Sequence, residues 1–489
     1  MTALSLREEP VWEQKHWGPS PELVYTRPLL GSELLVDQLT NFFNSLTEVS
    51  HGLTFTNKLS SAGLEHRMKT AMIRLRYFPR RKHNLNLMHF GYTCPIVGAT
   101  IEVEIHDPQL RSSVYRPIKD EADLQSWLRD AAITLQEPVN PDTFILRMTQ
   151  QRIPYICPDS TMQVLRSYLS KPTETPRLYA IFFHGNPEPD VFADIKWGTE
   201  WNNLPVGPIA ATGGPRPGWE TDGVALLGNV GKIHMTPNPC TLQYSRDVPI
   251  IAGKPFRLRA TLSEADATQI MKKIKASGFS PTHLLGAASS LAVFATLGIS
   301  NENATPETHI ILPSTIISIA KDFISSINIR SHFVSYMALV PLQMYWDKVA
   351  GGEDEKSRLL AAMTHYKAQY DNYLANTHLP HFTAELMRMA PPREPPPGVN
   401  PAAVTPTNIG VVEHTVPLTR RAKDRDGEPV LQIDEMFFGH RLPTLNIMVH
   451  MWSMKSKLIL QIQASDCWDQ EYLQGFLDEV VRQMKLLSQ

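Results

Sequence analysis

A single histidine at the end of an apolar run is the residue in this sequence with the clearest catalytic potential. The stretch "YAIFFHGNPEPDVFAD" (179–194) delivers His184, and the carboxylates Glu188, Asp190 and Asp194 follow within ten residues. Histidine titrates near neutral pH, so such a side chain can accept a proton from an attacking hydroxyl or amine. The alternative is that the strand ends in a proline-stiffened turn and His184 forms only structural hydrogen bonds.

Other residue arrangements offer less support for chemistry. "HLPHF" spaces His378 and His381 as H-x-x-H without a third ligand nearby, which favours a surface loop after a helix. "TGGPRPG" (212–218) lacks the lysine and hydroxyl residue of a phosphate loop, and G-x-S-x-G is absent. The sequence thus predicts no metal site and no permanently bound cofactor. The four cysteines form no C-x-x-C pair, which argues against a zinc module or a disulfide framework: Cys94, Cys157, Cys240 and Cys467.

Bulk properties predict an ordinary globular protein of two domains. The chain has 489 residues, of which 42% are hydrophobic and 20% charged. A net charge of −2 favours neither nucleic acid nor an anionic membrane as a partner. The start lacks a signal-peptide pattern, and the apolar run 284–299 is shorter than the roughly 20 residues that span a bilayer. We therefore expect a cytoplasmic protein.

Hydrophobic periodicity divides the chain into two α/β lobes. We expect a first lobe at 1–205, a linker at 206–250 and a second lobe at 251–489. Clustered prolines predict irregular loops at 205–218 and 391–406. In the first lobe, strands are predicted at 84–90, 99–107, 112–118, 143–150 and 177–183, and helices at 34–49, 65–78 and 120–132.

The second lobe carries clearer helix signals. Ser263 precedes Asp266 by three residues, as in a capping box, and Gly278 can close that helix. Ser280 and Pro281 start a helix that is apolar nearly all round, so it should be buried. Further strands are predicted at 309–318, 333–344 and 457–465, and helices at 355–374 and after Asp469, the last with Leu473, Phe476, Leu477, Val480, Met484 and Leu487 on one face.

The order of these elements resembles the two-lobed acyltransferase superfamily of chloramphenicol acetyltransferase, plant BAHD acyltransferases and peptide-synthetase condensation domains. Within it, the sequence is most similar to fungal secondary-metabolite enzymes of the trichothecene 15-O-acetyltransferase type. Besides the strand that ends at His184, the likeness rests on residues 253–294 with "THLLGAA", and on "SSINIRSHF" (325–333), "PTNIGVVEH" (406–414) and 451–480.

This resemblance implies two similar lobes, each a mixed sheet flanked by helices, with a tunnel between them. Donor and acceptor enter that tunnel from opposite mouths and meet at the histidine of an H-H-x-x-x-D-G motif. The resemblance also implies acyl-CoA or a carrier-protein thioester as donor and a small natural product as acceptor.

The sequence departs from the motif around its histidine. Phe183 replaces the first histidine, Glu188 stands at the aspartate position, and Pro189 replaces the glycine. In the family the aspartate holds the loop and does not accept the proton. Either Glu188 replaces it, or a two-residue insertion lets Asp190 do so. "DEMFFGH" (434–440) is only faintly similar to the D-F-G-W-G signature of the plant enzymes.

Five further residues are candidates for lining the tunnel. Ser335 and Tyr336 follow "NIRSHF", where the family lines its tunnel, and at most one of the two faces the site because strand residues alternate. His450 and Trp452 share one strand face by the same parity. His283, on the buried helix, is either a core histidine or a tunnel residue.

Three functions remain open at this point. The first is an acyltransferase of fungal secondary metabolism with His184 as general base. The second is a repurposed enzyme of the same fold that cyclises a polyketide-like precursor without a thioester donor. The third is a non-catalytic binding protein.

Overall fold

The fold was analysed in a computed structural model of the chain. It describes residues 9–18, 21–29, 31, 33–35, 37, 49–77, 98–104, 107–135, 137–150, 162–163, 167–170, 178–179, 195–214, 216–244, 253–327, 337–389, 402–421, 429–442 and 444–489.

The first lobe contains an antiparallel sheet of five strands in the order β1-β2-β5-β4-β7. Helix α2 begins at Asp120, whose carboxylate accepts the Asp123 amide, and it buries Leu124 and Leu128. The elements are β1 (Glu13–His16), β2 (Leu23–Pro28), α1 (Ser61–Tyr77), β4 (Ala99–Glu104), β5 (Asp107–Tyr115), α2 (Glu121–Ala131) and β7 (Met162–Gln163). The predicted helices near 65–78 and 120–132 and the strand near 99–107 are confirmed.

A second sheet joins distant parts of the chain. Strand β3 (Val49–Asn57) pairs on one side with β9 (Leu178–Tyr179) and on the other with β15 (Pro429–His440), and β14 (Thr419–Arg421) lies outermost. A strand from the last fifth of the chain therefore completes a sheet that starts in the first lobe. We call this four-stranded layer the crossover sheet.

The second lobe is built on a four-stranded sheet in the order β10-β17-β16-β13. Its helices pack on one face and form the largest apolar core. The predicted buried helix has twelve buried residues, and eight of them belong to this core. The elements are β10 (Pro255–Leu262), α6 (Glu264–Ala276), α7 (Pro281–Thr296), β13 (Val404–Val411), β16 (Ile447–Met454), β17 (Lys457–Ser465) and α12 (Gln470–Lys485).

The helix signals of the second lobe are confirmed. Ser263 caps α6 by accepting the Asp266 amide, and Gly278 lies beyond its end in the left-handed conformation at φ +71°. Asp469 caps α12. The predicted apolar face of α12 is buried throughout.

The remaining elements connect these layers. They are β6 (Ala132–Leu135), α3 (Pro141–Gln150), β8 (Ser167–Ser170), the 3-10 helix Glu200–Asn203, α4 (Pro208–Ala211), the π-helix Trp219–Gly223, α5 (Val224–His234), β11 (His309–Ser318), the 3-10 helix Ala320–Asp322, β12 (Met337–Tyr345), α8 (Asp347–Ala350), α9 (Glu355–Ala375), α10 (Leu379–Met389) and α11 (Val412–Thr415).

The predicted strand at 143–150 is wrong, because these residues belong to helix α3. Asn140 caps the helix by accepting the Thr143 amide, and Pro141 occupies its first position. Ile145 packs against the crossover sheet where Gly52 and Gly439 leave room for it. A short apolar run fits a strand and a buried helix equally well, and here the cap and the glycines decide.

The two proline-rich segments are not wholly irregular. Residues 205–218 contain the single turn α4, whose Ile209 and Ala210 amides donate to the Glu9 carboxylate at 2.8 and 2.6 Å. Strand β13 includes Pro406, whose missing amide is tolerated on a strand at the edge of its sheet.

The architecture is a mixed α/β fold of two lobes. Cys240 and Cys467, the cysteines within the described ranges, are free thiols. In the part of the chain that the structure describes, no helix is long and apolar enough to cross a membrane.

Candidate active site at the junction of the two lobes

The strand that precedes His184 lies at the edge of the crossover sheet. Leu178–Tyr179 runs antiparallel to β3, with Tyr179 opposite Thr54. Because the two strands are antiparallel, the direction from Leu178 to Tyr179 points toward the end of β3 that carries His51. His184 itself, with the other predicted residues Glu188, Asp190, Ser335 and Tyr336, lies outside the described residues.

The sheet of the second lobe turns two different faces to its surroundings. On β16, Val449 and Met451 belong to the apolar core under the helices. His450 and Trp452 lie on the opposite face, which meets the crossover sheet. His450 and Trp452 are two residues apart on one strand, so their side chains lie on the same face, and this face is at the junction of the lobes.

Three histidines meet at one end of this junction. The ring of Phe438 on β15 contacts those of His450 and His51, at centroid distances of 4.6 and 4.7 Å. The His440 ring stacks on His450 at 5.0 Å and 8°. The Thr407 hydroxyl bonds to Nδ1 of His450 in a short contact. We call His51, His440 and His450 the histidine cluster.

Polar side chains of the second lobe fix the backbone of β15 beside this cluster. The Phe438 carbonyl accepts hydrogen bonds from Gln461 Nε2 at 2.9 Å and from Arg257 Nη1 at 3.2 Å. The His440 amide donates to Gln463 Oε1 at 3.3 Å. The other interactions of Arg257 include an ion pair with Asp142 at the start of α3, at 3.0 Å. The interface between the lobes is therefore polar and specifically bonded at this end.

The opposite end of the junction is apolar. Trp452 is buried in a cluster with Phe55 of β3 and Ile433 of β15. The guanidinium of Arg259 lies over the ring of Trp452 at 5.7 Å, which is a cation–π contact. The polar end is therefore the part of the interface able to bind polar groups.

Desolvation by the surrounding protein keeps the imidazoles of the cluster uncharged. Desolvation lowers the pKa of His440 to about 3, and the nearby His51 adds to the effect. Desolvation, with the neighbouring histidines, also places the pKa of His450 well below its usual range. The pKa of His51 falls to about 4 for the same main reason. At neutral pH these rings are hydrogen-bonding groups and not strong bases.

Two ring nitrogens of the cluster have no hydrogen-bond partner in the structure. They are Nδ1 of His440 and Nε2 of His450. Each belongs to a side chain at least nine-tenths buried, since His440 is 9% exposed and His450 0%. His51, by contrast, is exposed to solvent. The cluster thus consists of one accessible histidine, His51, and two buried ones, His440 and His450.

His283, the other described candidate, has a capping function. Its Nδ1 accepts the Ser280 amide at 3.1 Å, while the Ser280 hydroxyl accepts the His283 amide at 3.3 Å. The ring packs against Tyr370 on α9 at 5.5 Å. Desolvation lowers the pKa of His283, which suits a neutral ring that accepts a hydrogen bond.

The expectation of a surface loop at "HLPHF" is wrong. His378 and His381 lie at the start of α10 and are buried, at 3% and 0% exposure. Both rings pack near the indole of Trp219 in the π-helix, with centroids 5.9 and 6.1 Å from it. Within the described ranges, no three histidine, cysteine or acidic side chains are placed to share a metal ion.

Comparison with known proteins shows the fold of the chain. No protein-family profile and no curated protein matches its sequence. Among solved structures, a trichothecene 15-O-acetyltransferase from Fusarium sporotrichioides aligns over 97% of this chain and 98% of its own, with a TM-score of 0.77 and 14% identity.

Two further solved structures are similar over nearly the whole chain. The epimerization domain from the third module of tyrocidine synthetase B gives a TM-score of 0.56 at 11% identity, covering 99% of this chain and 97% of its own. The condensation domain from the Monacolin K polyketide synthase gives 0.53 at 12%, covering 95% and 97%. The protein therefore has the two-lobed fold of acyltransferases and condensation domains, and the resemblance found in the sequence is confirmed at the level of the fold.

Sequence reasoning missed two members of the cluster, His51 and His440. His440 ends the stretch "DEMFFGH", whose faint similarity to a family signature carries no signal for a histidine. His51 contacts Phe438 because β3 pairs with β15, where the two residues are register partners. They are 387 residues apart in the sequence. Local periodicity carries no signal for such a pairing.

Proposed function

We propose that this protein is an acyltransferase that moves an acyl group from a thioester to a hydroxyl or amine of a small natural product. His184 is the general base. The observation that supports this best is the similarity to an acetyltransferase over 97% of the chain, at a TM-score of 0.77. At 14% identity that likeness concerns the fold, so the assignment of chemistry rests on the residues of this chain.

The position of His184 in the chain supports its role. It follows Tyr179 by five residues, a span that covers at most about 18 Å from a residue bonded in the crossover sheet. The direction of the strand from Leu178 to Tyr179 points toward the polar end of the lobe junction. A base and a set of polar side chains are thus expected on the same side of that interface.

The proposed reaction needs one proton acceptor and no covalent acyl-enzyme. His184 takes the proton of the acceptor group as its oxygen or nitrogen attacks the thioester carbonyl. The tetrahedral intermediate collapses, the carbon–sulfur bond breaks, and the proton returns to the leaving thiolate. A placed base typically supplies about 10²–10⁴-fold in rate.

Glu188 or Asp190 would hold the loop that orients the imidazole. The donor is acyl-CoA or a thioester on a carrier protein, the acceptor is a small natural product, and the setting is fungal-type secondary metabolism in the cytoplasm. Condensation domains with this fold, such as that of the Monacolin K synthase, are parts of carrier-dependent synthetases, which supports a carrier protein as possible partner.

The test uses purified full-length protein with acetyl-CoA and a panel of hydroxylated and aminated natural products. Release of free thiol and an acetyl mass increment on one acceptor are expected. His184→Ala should lower turnover by at least about 10²-fold. The matched control is His309→Asn, which removes a buried imidazole from β11. Wild-type turnover in the His184 variant would reject the assignment.

The altered loop favours one second candidate, an intramolecular cyclisation. Phe183, Glu188 and Pro189 replace three positions of the family motif. A loop no longer built for thioester attack could orient a flexible polyketide-like precursor for ring closure instead. Product formation by the purified protein in the absence of any thioester would support the cyclase and reject the transferase.

A further inference from the structure

We infer that the histidine cluster is the polar wall of the substrate cleft, and that Nδ1 of His440 and Nε2 of His450 bind an uncharged oxygen of the substrate. This inference rests on the proposed function for the location of the chemistry, and it adds the residues that recognise the ligand. The oxygen is a carbonyl or hydroxyl group, and not a carboxylate or phosphate.

The unpartnered nitrogens carry the first step of the argument. A buried polar atom without a partner costs about 1–3 kcal/mol, so native proteins satisfy nearly all of them. Other buried polar atoms of the described residues also lack a partner, among them His309 Nε2, but His440 Nδ1 and His450 Nε2 belong to rings stacked 5.0 Å apart. A ligand that hydrogen-bonds both rings would remove this cost on binding.

Access to the cluster is the second step. His51 is exposed to solvent, and its ring contacts Phe438, which in turn contacts both buried histidines. Although His51 reaches solvent, desolvation by the protein around it lowers its pKa. His51 therefore gives the cluster one side chain that solvent can reach, and Phe438 connects it to the two buried rings.

Charge decides the class of ligand group. Neutral imidazoles offer one donor and one acceptor each, and they suit an uncharged oxygen. A carboxylate or phosphate would require a free cation. Among the described residues beside the cluster, the guanidinium of Arg257 is bonded to the Phe438 carbonyl and paired with Asp142, and that of Arg441 donates to the Thr149 carbonyl.

A structural role and a ligand-binding role of His440 predict different effects of a substitution on stability and on substrate binding. If His440 only packs the junction, replacing it should reduce stability and leave substrate binding unchanged. If its free nitrogen serves the ligand, an isosteric apolar residue should preserve or raise stability, because an unsatisfied polar atom is removed. The same change should weaken substrate binding.

The kinetic experiment compares His440→Leu, which removes the nitrogen, with His440→Asn, which keeps a polar atom near the Nδ1 position. Initial rates are measured with acetyl-CoA and the acceptor found in the panel. We expect His440→Leu to raise one of the two KM values about tenfold, the loss of roughly one hydrogen bond, with a melting temperature no lower than that of the wild type. His440→Asn should restore most of the affinity. The control His309→Asn also removes a buried ring nitrogen without a partner, but one outside the histidine cluster, so it should leave both KM values unchanged. Unchanged KM values in His440→Leu would overturn the inference.

A second experiment does not depend on turnover. Diethyl pyrocarbonate modifies accessible neutral imidazoles, and peptide mass spectrometry locates each adduct. Of the three histidines compared, we expect His51 to react first, because it is exposed, then His440, and His309, which is 2% exposed, last. If His440 reacts no faster than His309, no cleft reaches the buried pair and the inference fails.

The two proposals fail in different ways. Loss of turnover in His184→Ala with unchanged KM values in His440→Leu would keep the acyltransferase and reject the polar wall. Normal turnover in His184→Ala with a raised KM in His440→Leu would reject the base and keep the wall.

Discussion

The imidazoles of His440 and His450 stack face to face, with centroids 5.0 Å apart and planes 8° from parallel. His440 ends β15 of the crossover sheet, and His450 lies in β16 of the second lobe. The contact therefore joins the two layers whose interface holds the candidate site. The two rings cannot both be charged in this contact, since two imidazolium ions at this distance would repel each other, and desolvation disfavours a charge on either ring.

The stacked pair predicts a stability that falls in acid. The pKa of His440 is about 3 in the folded protein, against about 6.5 for an unfolded histidine. Between these two pH values the unfolded chain binds a proton at His440 that the folded chain does not. The contribution of the neutral His440 to the free energy of unfolding is therefore complete above pH 6.5 and is lost as pH falls toward 3. Urea unfolding of wild type and His440→Leu at pH 7 and pH 5 should show a smaller pH effect in the variant, by up to about 2 kcal/mol. The exposed His414→Leu should keep the wild-type slope. If the free energy of unfolding changed equally with pH in wild type and His440→Leu, this prediction would be wrong.

Arg257→Met should loosen the attachment of β15 to the second lobe. The change removes the bond to the Phe438 carbonyl and the ion pair with Asp142. We expect a loss of about 1–3 kcal/mol in the free energy of unfolding by urea denaturation. Arg482→Met is the control, because that arginine pairs with Glu355 on the surface and should cost less than about 1 kcal/mol. Equal losses in the two variants would show that the interactions of Arg257 with Phe438 and Asp142 stabilise the fold no more than a surface ion pair.

Two helical glycines should respond in opposite directions to the same substitution. An added Cβ at Gly286 of α7 would lie 2.0 Å from the Tyr366 ring, so Gly286→Ala should destabilise by about 1–3 kcal/mol or more. A Cβ at Gly228 of α5 meets nothing within 4 Å, so Gly228→Ala should stabilise by about 0.5–1 kcal/mol. Thermal unfolding of both variants checks the pair. A stabilising Gly286→Ala would refute the close approach of α7 and α9.

Separate replacement of the two loop carboxylates should identify the one that orients His184. Glu188→Gln and Asp190→Asn are compared in the acetyl-transfer assay. We expect one to lower kcat by about 10²-fold through misplacement of the base, and the other to leave it nearly unchanged. A wild-type kcat in both variants would remove the loop-holding role from either residue.

Short-range signals were sufficient for much of the second lobe. Ser263 and Ser280 each cap the helix that the sequence predicts after them, and the apolar helix from Pro281 is buried. Caps and amphipathic faces depend on residues within a few positions, so they can be read locally. The same approach failed at 143–150, where Gly52 and Gly439 from two other strands create the space that accepts a helix.

The sequence by itself determined that the chain folds as two α/β lobes of the acyltransferase type, and that His184 is its leading candidate for a base. Only the tertiary structure decided that His51, His440 and His450 meet. His440 and His450 lie on consecutive strands, but His51 lies far from both in the sequence. The three come together because β15 pairs with β3 while facing β16. The pairing of strands that are distant in sequence depends on the packing of both lobes at once. A local pattern of residues therefore cannot predict it.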